Sequence, residues 1–172
     1  DRRVMKFDDE WLRRVNRQVY EPVGPVHVLL EDSQETGRTW RYTFERPGDG
    51  WMQPEFDDSG WATGEGMFGT PQTPNVRIGT RWDGPEIWLR RRFALENIPE
   101  TMVYLRIYHD EDAEVFINGV QVARAVGHVV NYQLLPLGEA GRSALPAGEN
   151  VMAIHCRRTG GGQAIDAGLI GF

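Results

Sequence analysis

The sequence predicts an all-β protein, an antiparallel β-sandwich with a short N-terminal helix. Two observations carry that prediction. Apolar, β-branched and aromatic runs of strand length recur at close spacing, broken by turn pairs such as Pro47-Gly48, Asp49-Gly50 and Asn118-Gly119. Helical patterns do not alternate with these runs, so a parallel α/β sheet is not expected. The chain also shows no self-sufficient catalytic centre, which points to recognition or scaffolding.

Residues 5–20 stand apart. Phe7, Trp11, Val15 and Val19 recur every fourth residue, with Leu12 beside them. Asp8 and Asp9 precede Arg13 and Arg14, the polarity a helix dipole favours. Glu21-Pro22-Val23-Gly24-Pro25 ends this helix, so residues 1–25 read as a helix and linker and 26–172 as the β domain. The helix packs on the domain's own flank, or it is the tail of a preceding domain.

Strands are expected at 26–30 and 39–44, followed by a glycine- and proline-rich stretch over 46–85. Two long strands, 86–95 and 101–108, are joined by Asn97-Ile98-Pro99-Glu100. Strands 113–117 and 120–125 flank Asn118-Gly119, a pair that tolerates the positive φ of a tight hairpin turn. Further strands are expected at 129–135, 150–157 and 164–169, with a helical turn at 139–145.

Composition narrows the function. The 172 residues suffice for one domain with a substantial core. A net charge of −6 argues against nucleic acid as a partner, since phosphate neutralisation needs a basic face. Arg90, Arg91 and Arg92 form the one dense basic run, and strand alternation sends neighbours to opposite faces. Lys6 is the single lysine, which removes P-loop and Schiff-base chemistry. Cys156 is the single cysteine, read as a small buried hydrophobe with no disulfide and no thiolate cage. No apolar run is long enough to span a bilayer.

Four phrases occur in order: Phe56-Asp57-Asp58-Ser59-Gly60-Trp61, then Ile87-Trp88-Leu89-Arg90-Arg91-Arg92-Phe93, then Ala113 to Gly119, then Leu145-Pro146-Ala147-Gly148-Glu149-Asn150-Val151. Together they resemble the N-terminal sugar-binding domain of family 2 glycoside hydrolases, the β-galactosidase and β-glucuronidase relatives. The resemblance covers roughly residues 38–169 and implies a galactose-binding-like jelly roll. It further implies an accessory module of a larger, exported (secreted or periplasmic) carbohydrate-active enzyme whose catalytic carboxylates lie in another domain. Its partners would then be poly- or oligosaccharide and other domains of the same polypeptide. The isolated chain would bind carbohydrate weakly or pack on a catalytic domain; a purely structural module is the alternative, and an independent glycoside hydrolase the remote one. His109-Asp110-Glu111-Asp112 and the stretch 159–166 depart from the family pattern, and the resemblance carries over no binding residue.

Candidate site residues come from the side-chain chemistry. Trp40, Trp51, Trp61, Trp82 and Trp88 fall within 49 residues, and indole faces stack on the apolar faces of sugar rings. Trp40, Trp61 and Trp88 are assigned to the core, leaving Trp82 in its Gly-rich loop as the ligand-facing candidate. Asp83, Gln163, Asp166 and His109 are the polar side chains that could meet sugar hydroxyls. Asp110 and Asp112 offer hard oxygen ligands to a calcium ion, but the favoured reading is a solvated turn or a carboxylate capping backbone amides. No other cofactor is expected. Ser33, Ser59 and Ser143 lack a nucleophile turn, and no catalytic residue is assigned.

Overall fold

A computed structural model describes residues 26–74, 76–97 and 102–172. The helix expected over 5–20 lies outside the described residues. The elements in chain order are β1 (His27–Leu30), β2 (Thr39–Thr43), β3 (Ala62–Glu65), β4 (Phe68–Gly69), β5 (Thr80–Arg81), β6 (Glu86–Leu95), β7 (Val103–Asp110), β8 (Asp112–Ile117), β9 (Val120–Ala125), β10 (Gln133–Pro136), α1 (Gly138–Ser143), β11 (Gly148–Arg157) and β12 (Ala164–Gly171).

Two six-stranded sheets face each other, and the antiparallel β-sandwich is the fold. The front sheet runs β10-β7-β12-β4-β5, with β1 also pairing β12; the back sheet runs β3-β2-β6-β11-β8-β9. Every pairing is antiparallel except the two-residue contact of β4 with β5. Alternation builds the core. Leu105, Ile107, Ile165, Ala167 and Leu169 of the front sheet meet Ile87, Leu89, Val115, Ile117, Met152, Ile154 and Cys156 of the back sheet. Each such aliphatic side chain contributes about 1.5–3 kcal/mol through burial. Cys156 is one of them, and burial pushes its thiol well above the ordinary range.

Several expectations shift in detail. The strand expected at 101–108 runs two residues further, to Asp110. The one expected at 129–135 shrinks to β10. The glycine-rich stretch 46–85, read as loop, holds the three short strands β3, β4 and β5. It also covers the sandwich: Trp51, Phe56 and Trp61 pack with Trp88, Ala153 and Phe116 on the outer face of the back sheet. Outer faces of antiparallel sheets are usually solvated. Here aromatic loop residues bury one, which is where much of the tryptophan goes.

The arginine run separates as alternation requires. Arg90 is fully buried under the loop, its Nε donating to Asp58 Oδ2 at 2.8 Å and its Nη1 donating to the carbonyls of Trp51 and Gln53. Arg91 lies on the opposite face, donating to the Glu31 carbonyl and resting over the Trp40 ring. Asn118 (φ 48°) and Gly119 (φ 83°) make the expected tight turn between β8 and β9. Asn118 also ties that turn to β11, its Oδ1 accepting from the Val151 amide at 2.8 Å.

Candidate functional site

Two places gather the sequence-derived candidates: the corner where the chain passes from the front sheet to the back, and the outer face of the front sheet. At the corner, Asp110 ends β7 in one sheet and Asp112 begins β8 in the other, with Glu111 (φ 140°) as the crossing residue. Glu111 is buried, and its Oε2 accepts from the amide and hydroxyl of Thr159 and from the Gly160 amide (3.2 Å). His109 is buried beneath, its Nδ1 2.9 Å from the Gly127 carbonyl and 3.1 Å from the Glu111 carbonyl. The Asp112 carboxylate accepts from the Gly127 amide at 2.8 Å, and that bond holds its pKa below the usual value. Asp110 is pushed the other way, by burial first and the Glu111 charge second.

Glu111 and Asp112 cap backbone amides, and Asp110 and Asp112 sit on different sheets. Among the described residues no group of three acidic, histidine or cysteine side chains could hold a metal ion. The turn's visible work is to fasten the Gly160-Gly161-Gly162 connection. Replacing Glu111 by alanine should therefore cost about 1–3 kcal/mol of stability, because the Thr159 and Gly160 amides lose their acceptor. Amide hydrogen exchange checks this: protection at those two amides should drop before that of β11.

Trp82 and Gln163 form a second structural knot, and Asp83 lies outside it. Trp82 is completely buried in the core and so offers no open ring face. The Gln163 amide donates to the carbonyls of Trp82 at 2.9 Å and Gly84 at 3.0 Å, pinning the loop to β12. Asp83 is exposed and pairs with Arg81 at 2.6 Å.

Asp166 leads elsewhere. It points outward from β12 opposite Tyr108 of β7, yet is almost fully buried. Its Oδ2 accepts from the Ser33 amide at 2.6 Å and the Tyr132 hydroxyl at 2.7 Å. Its Oδ1 has no hydrogen-bond partner. Burial, with Asp32 nearby, raises its pKa to about 6 despite those two donors. Gly168 makes this approach feasible, since a side chain there would strike the Leu30 carbonyl and the Asp32 amide that cross the sheet.

The two residues Asp166 holds, Ser33 and Tyr132, line a cavity of about 210 Å³. Its other walls include Gln34, Arg77, Arg106, Tyr108 and Asn131, with Met67 and Val76 as apolar floor. The Arg106 guanidinium lies 4.2 Å over the Tyr132 ring and donates to Asp32 and to Gln34 Oε1. Among the described residues no aspartate or glutamate lines the cavity.

No protein-family model and no curated protein sequence matches the chain. Solved structures do. A β-glucuronidase from Bacteroides uniformis is 17% identical with a TM-score of 0.57, over 82% of this chain and 18% of its own. A β-glycosidase from Bacteroides vulgatus is 15% identical with a TM-score of 0.54, over 86% and 20%. A family 2 glycosyl hydrolase from Bacteroides cellulosilyticus is 15% identical with a TM-score of 0.52, over 83% and 21%. The fold is that of a family 2 glycoside hydrolase N-terminal domain. This family 2-like domain spans about a fifth of the length of those solved relatives. The described residues include no helix long and apolar enough to cross a membrane.

Of the residues picked out in the sequence, Asp166 alone belongs to the cavity of the family 2-like domain, and from behind its wall. Arg106, Tyr108, Tyr132, Ser33, Gln34, Arg77 and Asn131 were missed. One signal was available: Tyr104, Arg106 and Tyr108 alternate with Val103, Leu105 and Ile107, placing polar-tipped side chains on the outer face of β7.

On the back sheet, a wider groove of about 440 Å³ is lined by Trp51, Trp88, Phe116 and His155. The His155 ring stacks on Trp88 at 4.7 Å, and its nitrogens face Glu86 at 2.7 Å and Glu114 at 3.5 Å. Two of the groove's carboxylates, Glu86 and Glu114, are thus taken up by the His155 ring.

Proposed function

We propose that this chain is a non-catalytic accessory module of a larger, exported glycoside hydrolase-like polypeptide, and that its front cavity binds a carbohydrate unit weakly. The cavity carries this reading. It combines two phenols, two guanidiniums, two amides and a hydroxyl with a small apolar floor, the mixture that amphipathic sugar rings require. Glycosidic hydrolysis needs two carboxylates placed across the bond, and among the described residues no carboxylate lines this cavity. The module therefore holds sugar without cleaving it, and the chemistry belongs to another domain.

A second reading rests on the lower half of the same sheet face. Val28, Met102 and Leu134 are 59%, 56% and 44% exposed, beside Tyr104 and Phe172, whose rings meet edge to face. An apolar surface of this kind suits packing against a neighbouring domain. The two readings are compatible, since cavity and apolar surface share one sheet.

Glycan-array screening followed by NMR titration tests the first reading. Binding should map to Arg106, Tyr108 and Tyr132, and Tyr132→Ala should weaken it at least about tenfold, the loss of one aromatic contact with its hydrogen bond. If no glycan binds at millimolar concentration, carbohydrate recognition by this domain is wrong and the packing reading stands alone.

A further inference from the structure

We infer that the front cavity selects a sugar unit bearing an anionic group, a carboxylate or sulfate ester, over a neutral one; this rests on the reading of that cavity as a carbohydrate site. The reason is the balance of donors and acceptors. A neutral pyranose presents hydroxyls that both donate and accept, and needs acceptors on the protein. This cavity is short of them. Among the described residues its lining has two guanidiniums and no carboxylate side chain, with Asp32, the ion-pair partner of Arg106, just outside it.

Two of the remaining polar groups, Gln34 and Tyr108, push the same way. Gln34 Oε1 is occupied by Arg106, which leaves the Gln34 NH2 group as its free function. Burial, then the Asp110 charge, raises the Tyr108 phenol, so its hydroxyl stays protonated and available as a donor. Arg106 gives two of its nitrogens to Asp32 and Gln34, and a guanidinium carries five N–H donors in a planar fork. Its stacking on Tyr132 holds that plane in place. Arg77 is exposed at the rim; the Glu65 carboxylate lies near it beside Gly37, but no ion pair with a described residue ties it down. A carboxylate or sulfate is acceptor only, and two guanidiniums suit it. At about 210 Å³ the cavity fits one sugar ring rather than a chain, since drug-sized sites start at about 300 Å³.

Asp166 supplies a signature. It lies behind Tyr132, and the charged groups acting on it are Asp32 from the loop after β1 and Arg91 from β6. When Asp166 is ionised its charge opposes an anion in front of it. Acidification that neutralises it favours the anion.

The test is a calorimetric and NMR titration of the full chain with D-galacturonate, D-galactose and sodium sulfate, each at about pH 7.5 and about pH 5; the sugar carboxylate is ionised at both. Galacturonate should bind at least about tenfold tighter than galactose, the value of one charge-assisted contact. Sulfate alone should shift the same Arg77 and Arg106 signals. Arg77→Ala and Arg106→Gln should each reduce the preference. Asp166→Asn, which keeps an acceptor for Ser33 and Tyr132, should raise galacturonate affinity at the higher pH and flatten its pH dependence. Equal affinity for the two sugars would overturn the selectivity and leave the carbohydrate reading intact. Binding of neither sugar by the folded chain would overturn both.

Discussion

Replacing Asp58 by alanine should lower the free energy of unfolding by about 3–5 kcal/mol, the loss expected when one partner of a buried ion pair is removed. The Arg90 side chain has no solvent exposure, and its Nε donates to Asp58 at 2.8 Å. Without that carboxylate a guanidinium stays buried with only carbonyl acceptors, those of Trp51, Gln53 and Phe56. Arg41, whose Nε lies 3.7 Å from Asp58, loses a partner too. The damage should spread to the loop that brings Trp51 and Trp61 onto the back sheet, so denaturant unfolding followed by tryptophan fluorescence reports it. Pairing the change with Arg90→Met should give strong non-additivity, because the stranded charge is then gone. A cost below about 1 kcal/mol for Asp58→Ala would show that the pair does not anchor the loop.

Asp166 should make the protein more stable in mild acid than at neutral pH. An unfolded aspartate titrates near 3.8, whereas burial raises the folded carboxyl to about 6. Between those values the folded chain binds more protons than the unfolded one, so stability falls as pH rises. The contribution is complete below about 3.8 and lost once pH passes about 6, a change of about 3 kcal/mol. Other carboxylates titrate in the same window, so the comparison is with Asp166→Asn. The stability difference between the two proteins should change by about 2 kcal/mol between about pH 4 and about pH 7 in urea unfolding, with the variant relatively more stable at the higher pH. A difference that does not move with pH would mean that Asp166 titrates as an ordinary surface carboxylate.

The residues legible in sequence were those whose behaviour is local. Asn118-Gly119 carries its own turn geometry, and the alternation of 103–108 and 150–157 carries its own inward face. The separation of Arg90 from Arg91 follows from the same period of two. Trp82, Gln163 and His109 illustrate the opposite case. An indole in a Gly-rich loop reads as exposed until the loop is seen folded into the core, with the Gln163 amide stitching it there. The acidic run 110–112 reads as one cluster until its first and last members are seen on different sheets.

By itself the sequence determined the class of the fold and most strand positions, because each depends on residue type and short-range periodicity. Only the tertiary structure decided which outward-facing residues meet. Ser33, Arg106, Tyr132 and Asp166 come from four separate stretches of the chain, brought together by β7, β10 and β12 lying side by side with the loop after β1 crossing over them. That meeting is set by long-range pairing and by burial of the aspartate, neither of which leaves a periodic trace along the chain.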